Sequence, residues 1–552
     1  MKNKKCSLLS MLVASVLCVG MFAGCNNAKA PETNNKVEGQ NVSSTIQKTK
    51  ARTVITTDGE VDDMNSVIRF MLYANEVDLA GIVVTSSMYH YAGDEEKGIE
   101  PFRWTGTKWV DEFIDAYEEV YPNLSVHAEG YPEPEHVRNI TKIGNISDAG
   151  EMDEVTEGSE YLKELFLDDD DRELYVQTWG GTNTTARALK SIEEEYKDTD
   201  KWEEIQKKIN EKVVLYIILD QDDSYGEYIA KNWPSIRIIN DRSNFWHFAY
   251  AWKYHNDEVN SLLQGDWMYE NIKANHGPLL EKYALMGDGN YIEGELEEEQ
   301  RGTEEYLKNN SEYNRYDFIS EGDSPSFLYL IDNGLRSMED PTYGGWGSRF
   351  GVVNDNLWKN TELDYNPYTN QYEASYSLTR WFDDIQNDFA ARADWCVAKT
   401  YEEANHAPTV KVKEGIDLTA KAGEKITLTA DAKDPDGDEI TYKWWRYAEA
   451  DTYEDYKGQK NETEDTYAGD LLLDTTRKLA ENEVVDSIKL EGSDTNKVTF
   501  TVPEDAKSGD TIHIVVEAKD NGKINLKHYH KIVILFHLVL YHHHLGIFLT
   551  MQ

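Results

Sequence analysis

The chain has 552 residues, more than one hydrophobic core usually organises, so two or more domains are expected. Apolar residues make up 40%, with 14 Trp and 34 Tyr, which supports a packed core and argues against wholesale disorder. The formal net charge of -46 repels nucleic-acid phosphates and anionic membrane surfaces, and no basic patch with interleaved aromatics offsets it, so nucleic-acid polymers are excluded as partners.

The first 25 residues read as an export signal rather than a core helix. Lys2, Lys4 and Lys5 precede an apolar stretch from Leu8 to Ala23, which ends in Phe22-Ala23-Gly24-Cys25. That ending resembles a bacterial lipobox, which implies cleavage before Cys25 and lipid on its sulfur. Phe22 departs from the aliphatic residue usual there, and an ordinary secretory signal cut near Ala23 is the other reading. Residues 26–51 are polar and cannot bury a core; they read as a flexible stalk. Cys6 and Cys18 leave with the signal. Cys396, beside Trp395, then remains as a buried apolar residue with no partner for a disulfide or thiolate metal site. The expected location is outside the cell, on the membrane through a lipid anchor, or secreted.

From 52 to 404, apolar runs alternate with helical patterns. Thr53–Thr56, Leu79–Val84, Leu174–Gln177, Val213–Leu219 and Ile236–Ile239 read as strands. Val67–Tyr73, Thr185–Tyr196 and Tyr225–Asn232 read as helices between them. This alternation predicts an α/β fold with a doubly wound, mostly parallel sheet, whose ligand site lies at the carboxyl ends of the strands. From 405 to 533 the pattern changes to alternating strands, including Lys425–Thr429, Ile440–Trp444, Val498–Val502 and Ile512–Val516, which predict a small all-β, Ig-like sandwich. Its turn Asp434-Pro435-Asp436-Gly437-Asp438 is either a calcium site or a plain acidic turn. Residues 534–552, with His542, His543 and His544 among apolar residues, form an atypical tail too interrupted for a membrane span.

The strongest chemical signal follows the first strand: Thr56-Thr57-Asp58-Gly59-Glu60-Val61-Asp62-Asp63. Carboxylates this close repel one another, and burying them needs compensation. A hard divalent cation with oxygen ligands supplies it. A helix N-cap explains one or two of these aspartates, not three.

This run resembles the Asp-x-Asp-x-x-x-Asp-Asp signature of inosine-uridine nucleoside hydrolases, with Thr56 in place of the first aspartate. The resemblance implies that Asp58 binds calcium and acts as general base on a water, that Asp63 binds calcium, and that Asp62 holds sugar hydroxyls. Trp179-Gly180-Gly181-Thr182-Asn183-Thr184 is similar to that family's Gly-Pro-Leu-Thr-Asn turn, one residue shorter. It implies that the Thr182 carbonyl is a calcium ligand, with Asn183 on the substrate. In Glu321-Gly322-Asp323-Ser324-Pro325-Ser326-Phe327, Asp323 matches a calcium ligand. Gly322 replaces the His that serves the leaving group, and Glu321 beside it is placed on the substrate. Ser87 and Met88 stand where the family has Asn. The metal-and-base half is kept and the leaving-group half rebuilt, which points away from ordinary nucleosides. The closer resemblance is to the nucleoside-hydrolase-like family of cellulose-binding proteins (Sde182-like), which also carries a Gly-Gly-Trp-Gly run, here Gly344 to Gly347, and an Ig-like C-terminal domain. It covers roughly residues 52 to 533.

Trp179 and Trp346 either stack on a sugar ring or lie in the core. Glu321, or one of Asp220, Asp222 and Asp223, is a candidate for the missing acid; the last three also fit a surface turn. His247, His255 and His276 lack ligand spacing and are expected to be structural. The expected function is a calcium-dependent hydrolase of N- or O-glycosides, acting on a sugar diol with Asp58 as general base. The alternative is a non-catalytic, cellulose-binding surface lipoprotein. Either way the expected partner is a carbohydrate or nucleoside-like glycoside.

Overall fold

The computed structural model describes residues 50–453, 475–479 and 485–537. The signal peptide, the Cys25 lipid site, the linker up to residue 49 and the tail from 538 lie outside them. Among the described residues, no helix is long and apolar enough to cross a membrane.

The α/β part is built on an eight-stranded sheet. Its strands are β1 (Arg52–Thr57), β2 (Asp78–Val84), β3 (Thr141–Ile143), β4 (Leu174–Thr178), β5 (Val213–Ile218), β6 (Arg237–Asp241), β7 (Gly351–Asn354) and β8 (Leu357–Lys359). The order is β3-β2-β1-β4-β5-β6-β8-β7, and every pair is parallel except β7 with β8. β1, β4 and β5 are buried along their whole length, as a parallel sheet covered on both faces requires. Alternate residues feed two cores. Ile55, Val84 and Tyr216 join Phe70 and Phe113 on one face. Val54, Val83 and Leu215 join Leu162 and Leu189 on the other. The first face is covered by α1 (Val61–Tyr73) and α2 (Lys108–His127), the second by helices Glu157–Leu167 and Asn183–Tyr196.

The chain runs from β1 outward to β2 and β3, then returns to place β4 on the other side of β1. β1 and β4 therefore flank the topological switch point, where the crossovers part and leave a crevice at the strand ends. The five expected strands all form. α1 begins at Val61, six residues earlier than its apolar spacing indicates, because its first turn is acidic and carries no such pattern.

The C-terminal part is all β. One sheet joins Thr409–Val412, Lys425–Lys433 and Lys497–Thr501. The other joins Asp417–Ala420, Lys527–Phe536, Thr511–Lys519 and Thr441–Arg446. The tail expected from 534 starts too early: Ile534 and Phe536 are the last inward-facing residues of Lys527–Phe536 and belong to the sandwich core.

The sandwich is seated on the α/β part through buried charge. The Asp364 carboxylate, fully buried, accepts from Arg349 Nε at 2.8 Å, Arg380 at 3.0 Å and the Tyr447 hydroxyl at 2.6 Å. Burial opposes its ionisation, but Arg349 and then Arg380 outweigh burial and hold its carboxyl below the ordinary range. Removing it takes the nearest carboxylate from buried Arg349 and from half-buried Arg380. Asp364→Ala is expected to destabilise the fold by about 3–5 kcal/mol, read from chemical denaturation; a loss under 1 kcal/mol counts against this account.

Candidate metal centre

β1 delivers Asp58 to the switch point, and the chain then turns sharply at Gly59, where φ is +79°. A Cβ at Gly59 would lie 2.9 Å from both Thr105 Oγ1 and Trp109 Nε1, so the turn needs glycine sterically as well as conformationally. The turn launches α1, whose first turn presents Asp62 and Asp63. Asp63 Oδ1 accepts from the Thr57 hydroxyl at 2.5 Å and the Asp58 N–H at 3.1 Å. Asp58 Oδ1 accepts from the Glu60 N–H at 3.2 Å. Asp323 arrives from the far side of the sequence, immediately before the short helix Ser324–Leu328.

One oxygen each from Asp62, Asp63 and Asp323 lies within 4.8 Å of the others, and all three residues are buried. Asp58 Oδ2, Asp62 Oδ1 and Asp323 Oδ2 have no hydrogen-bond partner. Burial, then Glu60 and Asp58, pushes Asp62 up to about 8. Burial and neighbouring aspartates also hold Asp63 and Asp323 well above the ordinary range. Buried, orphaned, mutually repelling oxygens are a poor structural device but a suitable ligand set for a hard divalent cation.

The carboxylates open into a cavity of about 410 Å³. Its other walls include Glu60, Tyr89, Arg103, Trp246, Tyr250 and Arg301. Glu60 is held in place: the Tyr250 hydroxyl donates to it at 3.0 Å and Arg103 at 3.3 Å. Arg103 also binds Glu295 at 2.5 and 2.9 Å. Arg301 lies over the Tyr250 ring at 4.4 Å. Behind this wall His90, fully buried, lies 3.7 Å from Glu60 and 3.5 Å from Glu295. Burial disfavours its charge, but the two carboxylates prevail and raise its proton affinity.

Residues 52–350 match the family model described as cellulose-binding Sde182, nucleoside hydrolase-like domain. The chain belongs to this family. Residues 425–536 match the model of the Sde0182 cellulose-binding protein C-terminal domain. No curated protein matches the sequence. A nucleoside hydrolase-related protein from Saccharophagus degradans, described as associated with carbohydrate metabolism, is 26% identical; the match covers 88% of this chain and 100% of that one, with a TM-score of 0.62. A plant nucleoside hydrolase is 12% identical over 56% of this chain and 86% of its own, with a TM-score of 0.26. The type III effector XopQ, solved with adenosine diphosphate ribose, is 10% identical over 64% and 95%, with a TM-score of 0.29.

Of the residues expected to hold calcium in this Sde182-like chain, Asp63 and Asp323 approach each other. Asp62, expected on sugar hydroxyls, also stands within the ligand trio, while Asp58 stands beside that trio. Several other assignments need correction. The Thr182 hydroxyl bonds Asp222 and Ser224, and its carbonyl accepts from Ala186 N–H at 2.8 Å as the first bond of the helix. Gly180 is the residue of that turn that touches Asp58: a Cβ there would lie 2.8 Å from Asp58 Cβ. Asn183 is fully buried and ties strand ends together, donating to Ser86 Oγ and the Asn145 carbonyl and accepting from Thr85. It faces no substrate.

Glu321 is not a free acid. It is fully buried and takes Arg69 Nε at 2.5 Å and Nη2 at 2.8 Å, together with the hydroxyls of Ser324 and Tyr283. Trp346, 3% exposed, lies in the main core and offers no sugar platform. Trp179 is 1% exposed and donates to Ser326 Oγ at 2.8 Å; only its edge reaches the cavity. Asp222 is a buried cap for Asn183 and Ser224 N–H. Asp220, pushed by burial up to about 6, caps Tyr225 and Gly226. His247 and His255 face each other at 3.0 Å, and His276 meets Asp394 at 3.2 Å, all structural roles as expected. Ser87 and Met88 form a turn: Ser87 Oγ accepts from the N–H of Tyr89 and His90, which places those two residues at the site. At Gly322 a Cβ would lie 3.0 Å from Asp62 Oδ2 and 3.1 Å from Ala249 Cβ, so a side chain there would crowd both, and glycine itself brings no proton donor to the site.

The shift on Asp62 sets a pH dependence. A carboxyl raised from 3.8 to about 8 in the folded state favours folding when protonated, and that stability is lost as pH rises through this window. In chelator the unfolding midpoint is therefore expected to fall between about pH 4 and pH 8, with calcium restoring it most at the upper end. Identical melting curves with and without calcium at pH 8 would show that no cation is held there.

Proposed function

We propose that this protein is an exported, calcium-dependent hydrolase of glycosidic or N-glycosidic bonds, with Asp58 as general base. The observation that carries the reading is the convergence of Asp62, Asp63 and Asp323 with the unpartnered Asp58 Oδ2 at the switch point. Asp62, Asp63 and Asp323 would hold the cation, which supplies charge to fix a sugar diol and acidify a water when bound. Asp58 Oδ2, with no competing donor, is free to take the proton of that water. Glu60 is pinned by Tyr250 and Arg103 and orients polar groups at the cavity wall. Phe245 and Trp246 line the cavity beside Asp62. The lipobox-like ending at Cys25 and the cellulose-binding family support action outside the cell, tethered through lipid.

A second reading, polysaccharide binding without catalysis, is favoured by one observation. Arg69 locks Glu321, and residue 322 is a glycine, so neither supplies an acid for the leaving group.

Release of reducing sugar from nucleosides and plant-polysaccharide oligosaccharides, with calcium, separates the two. Wild type is expected to turn over, and Asp58→Asn to lose about 10²–10⁴-fold in kcat. Retention of wild type on insoluble cellulose without release from any substrate would establish the binding reading instead.

A further inference from the structure

A second and larger cavity, about 740 Å³, adjoins the metal centre. The two share a thin wall. On the first turn of α1, Asp62 and Asp63 face the metal cavity while Val61, Met64 and Asn65 face the second one. The helical period explains the division: 61, 64 and 65 fall on one side of the turn and 62 and 63 on the other. The loop from 103 divides the same way, with Arg103 on the metal cavity and Trp104 and Thr105 on the neighbour.

The second cavity has two lips, residues 104–109 and 290–293, and they are locked together. Gly294, at φ +87°, brings its backbone so near the Trp104 carbonyl oxygen that a Cβ would lie 1.9 Å from it. Tyr291 is 71% exposed and Trp104 is partly exposed, so both offer aromatic surface at the cavity. The remaining lining mixes apolar side chains, among them Val61, Met64, Trp109, Phe113 and Ile292, with polar and charged ones. Lys282 is paired with Glu112 at 3.3 Å, and Asn290 and Glu293 stand at the edge. Lys108 and Lys282 in the lining are matched by Glu112 and Glu293, so the cavity carries no net positive charge, and the whole chain carries -46.

Aromatic faces with hydrogen-bonding neighbours and no net positive charge suit the C–H faces and hydroxyls of a neutral sugar chain. We propose that this groove binds the non-reacting units of a neutral glycan, with Trp104 and Tyr291 as its platforms, beside the centre that handles the terminal unit. This rests on the glycan reading of the metal centre. It makes the ligand a chain, where the metal cavity alone would accommodate a single glycoside.

The test measures affinity of the full chain for cellohexaose by calorimetry and for insoluble cellulose by depletion, with calcium present. The variants are Trp104→Ala, Tyr291→Ala and, as a control on the metal centre, Asp63→Ala. Both groove variants are expected to weaken binding at least tenfold with an unchanged far-ultraviolet spectrum and melting curve. Asp63→Ala is expected to lose release of sugar, which separates the metal centre from the groove. If wild type binds and the groove variants bind equally well, the groove assignment falls while the glycan reading stands. If wild type binds neither ligand but hydrolyses nucleosides, both the groove assignment and the chain ligand are overturned, and the hydrolase reading alone survives.

Discussion

Four aspartates meet at the end of β1, and their mutual repulsion is the constraint around which the structure is arranged. The partial positive charge at the α1 N-terminus, about half an elementary charge, offsets only a fraction of it. Thr57 and two backbone N–H groups add hydrogen bonds to Asp63 and Asp58, yet three carboxylate oxygens stay without partners. Burial and this repulsion raise the proton affinity of Asp62, Asp63 and Asp323, and a divalent cation is the other way to offset the cost. The position follows from topology: the crossovers part between β1 and β4, so backbone does not fill the space above Asp58.

Several other buried carboxylates are neutralised from within the protein. Glu321 takes the Arg69 fork, Asp364 takes two arginines and a tyrosine, and Glu295 takes Arg103. The contrast separates the carboxylates that hold the fold from those that hold a ligand. Glu321 and Asp323 are two residues apart and fall on opposite sides of that line. Glu321 points into the core at Arg69, and Asp323 points at the aspartates of α1. Gly322 between them is pressed against Asp62, which lets the two segments approach closely enough for the trio to form.

This contrast also explains what was legible in the sequence. Asp58, Asp62 and Asp63 stand in one short run between a strand and a helix, and local spacing exposes them. The strands are continuous apolar runs, and all five expected ones form. Glu321, Asn183 and Trp346 look identical as letters to ligand-facing residues. Their partners Arg69, Ser86 and the main core lie far away in sequence, and only tertiary packing reveals that they are satisfied. Tyr89, His90, Arg103, Tyr250 and Arg301 reach the site from loops with no periodicity, so no pattern marks them. β7 and β8 are short and partly exposed, and β3 has three half-buried residues, too few for a strand signal.

The Gly-Gly-Trp-Gly run links the sandwich to the metal centre. Its glycines are required by close approach rather than by a ligand. A Cβ at Gly344 would lie 2.6 Å from the Tyr447 hydroxyl of the sandwich, and one at Gly347 would lie 2.5 Å from the Pro325 carbonyl. The Lys531 amine, fully buried in the sandwich edge, donates to the carbonyl of Tyr343 immediately before the run. Pro325 belongs to the short helix that Asp323 precedes. One face of the run therefore takes the weight of the sandwich, and the other presses on the helix that aims Asp323. The sandwich thus packs against the segment that positions Asp323, which accounts for its buried polar seam better than a freely swinging accessory module would.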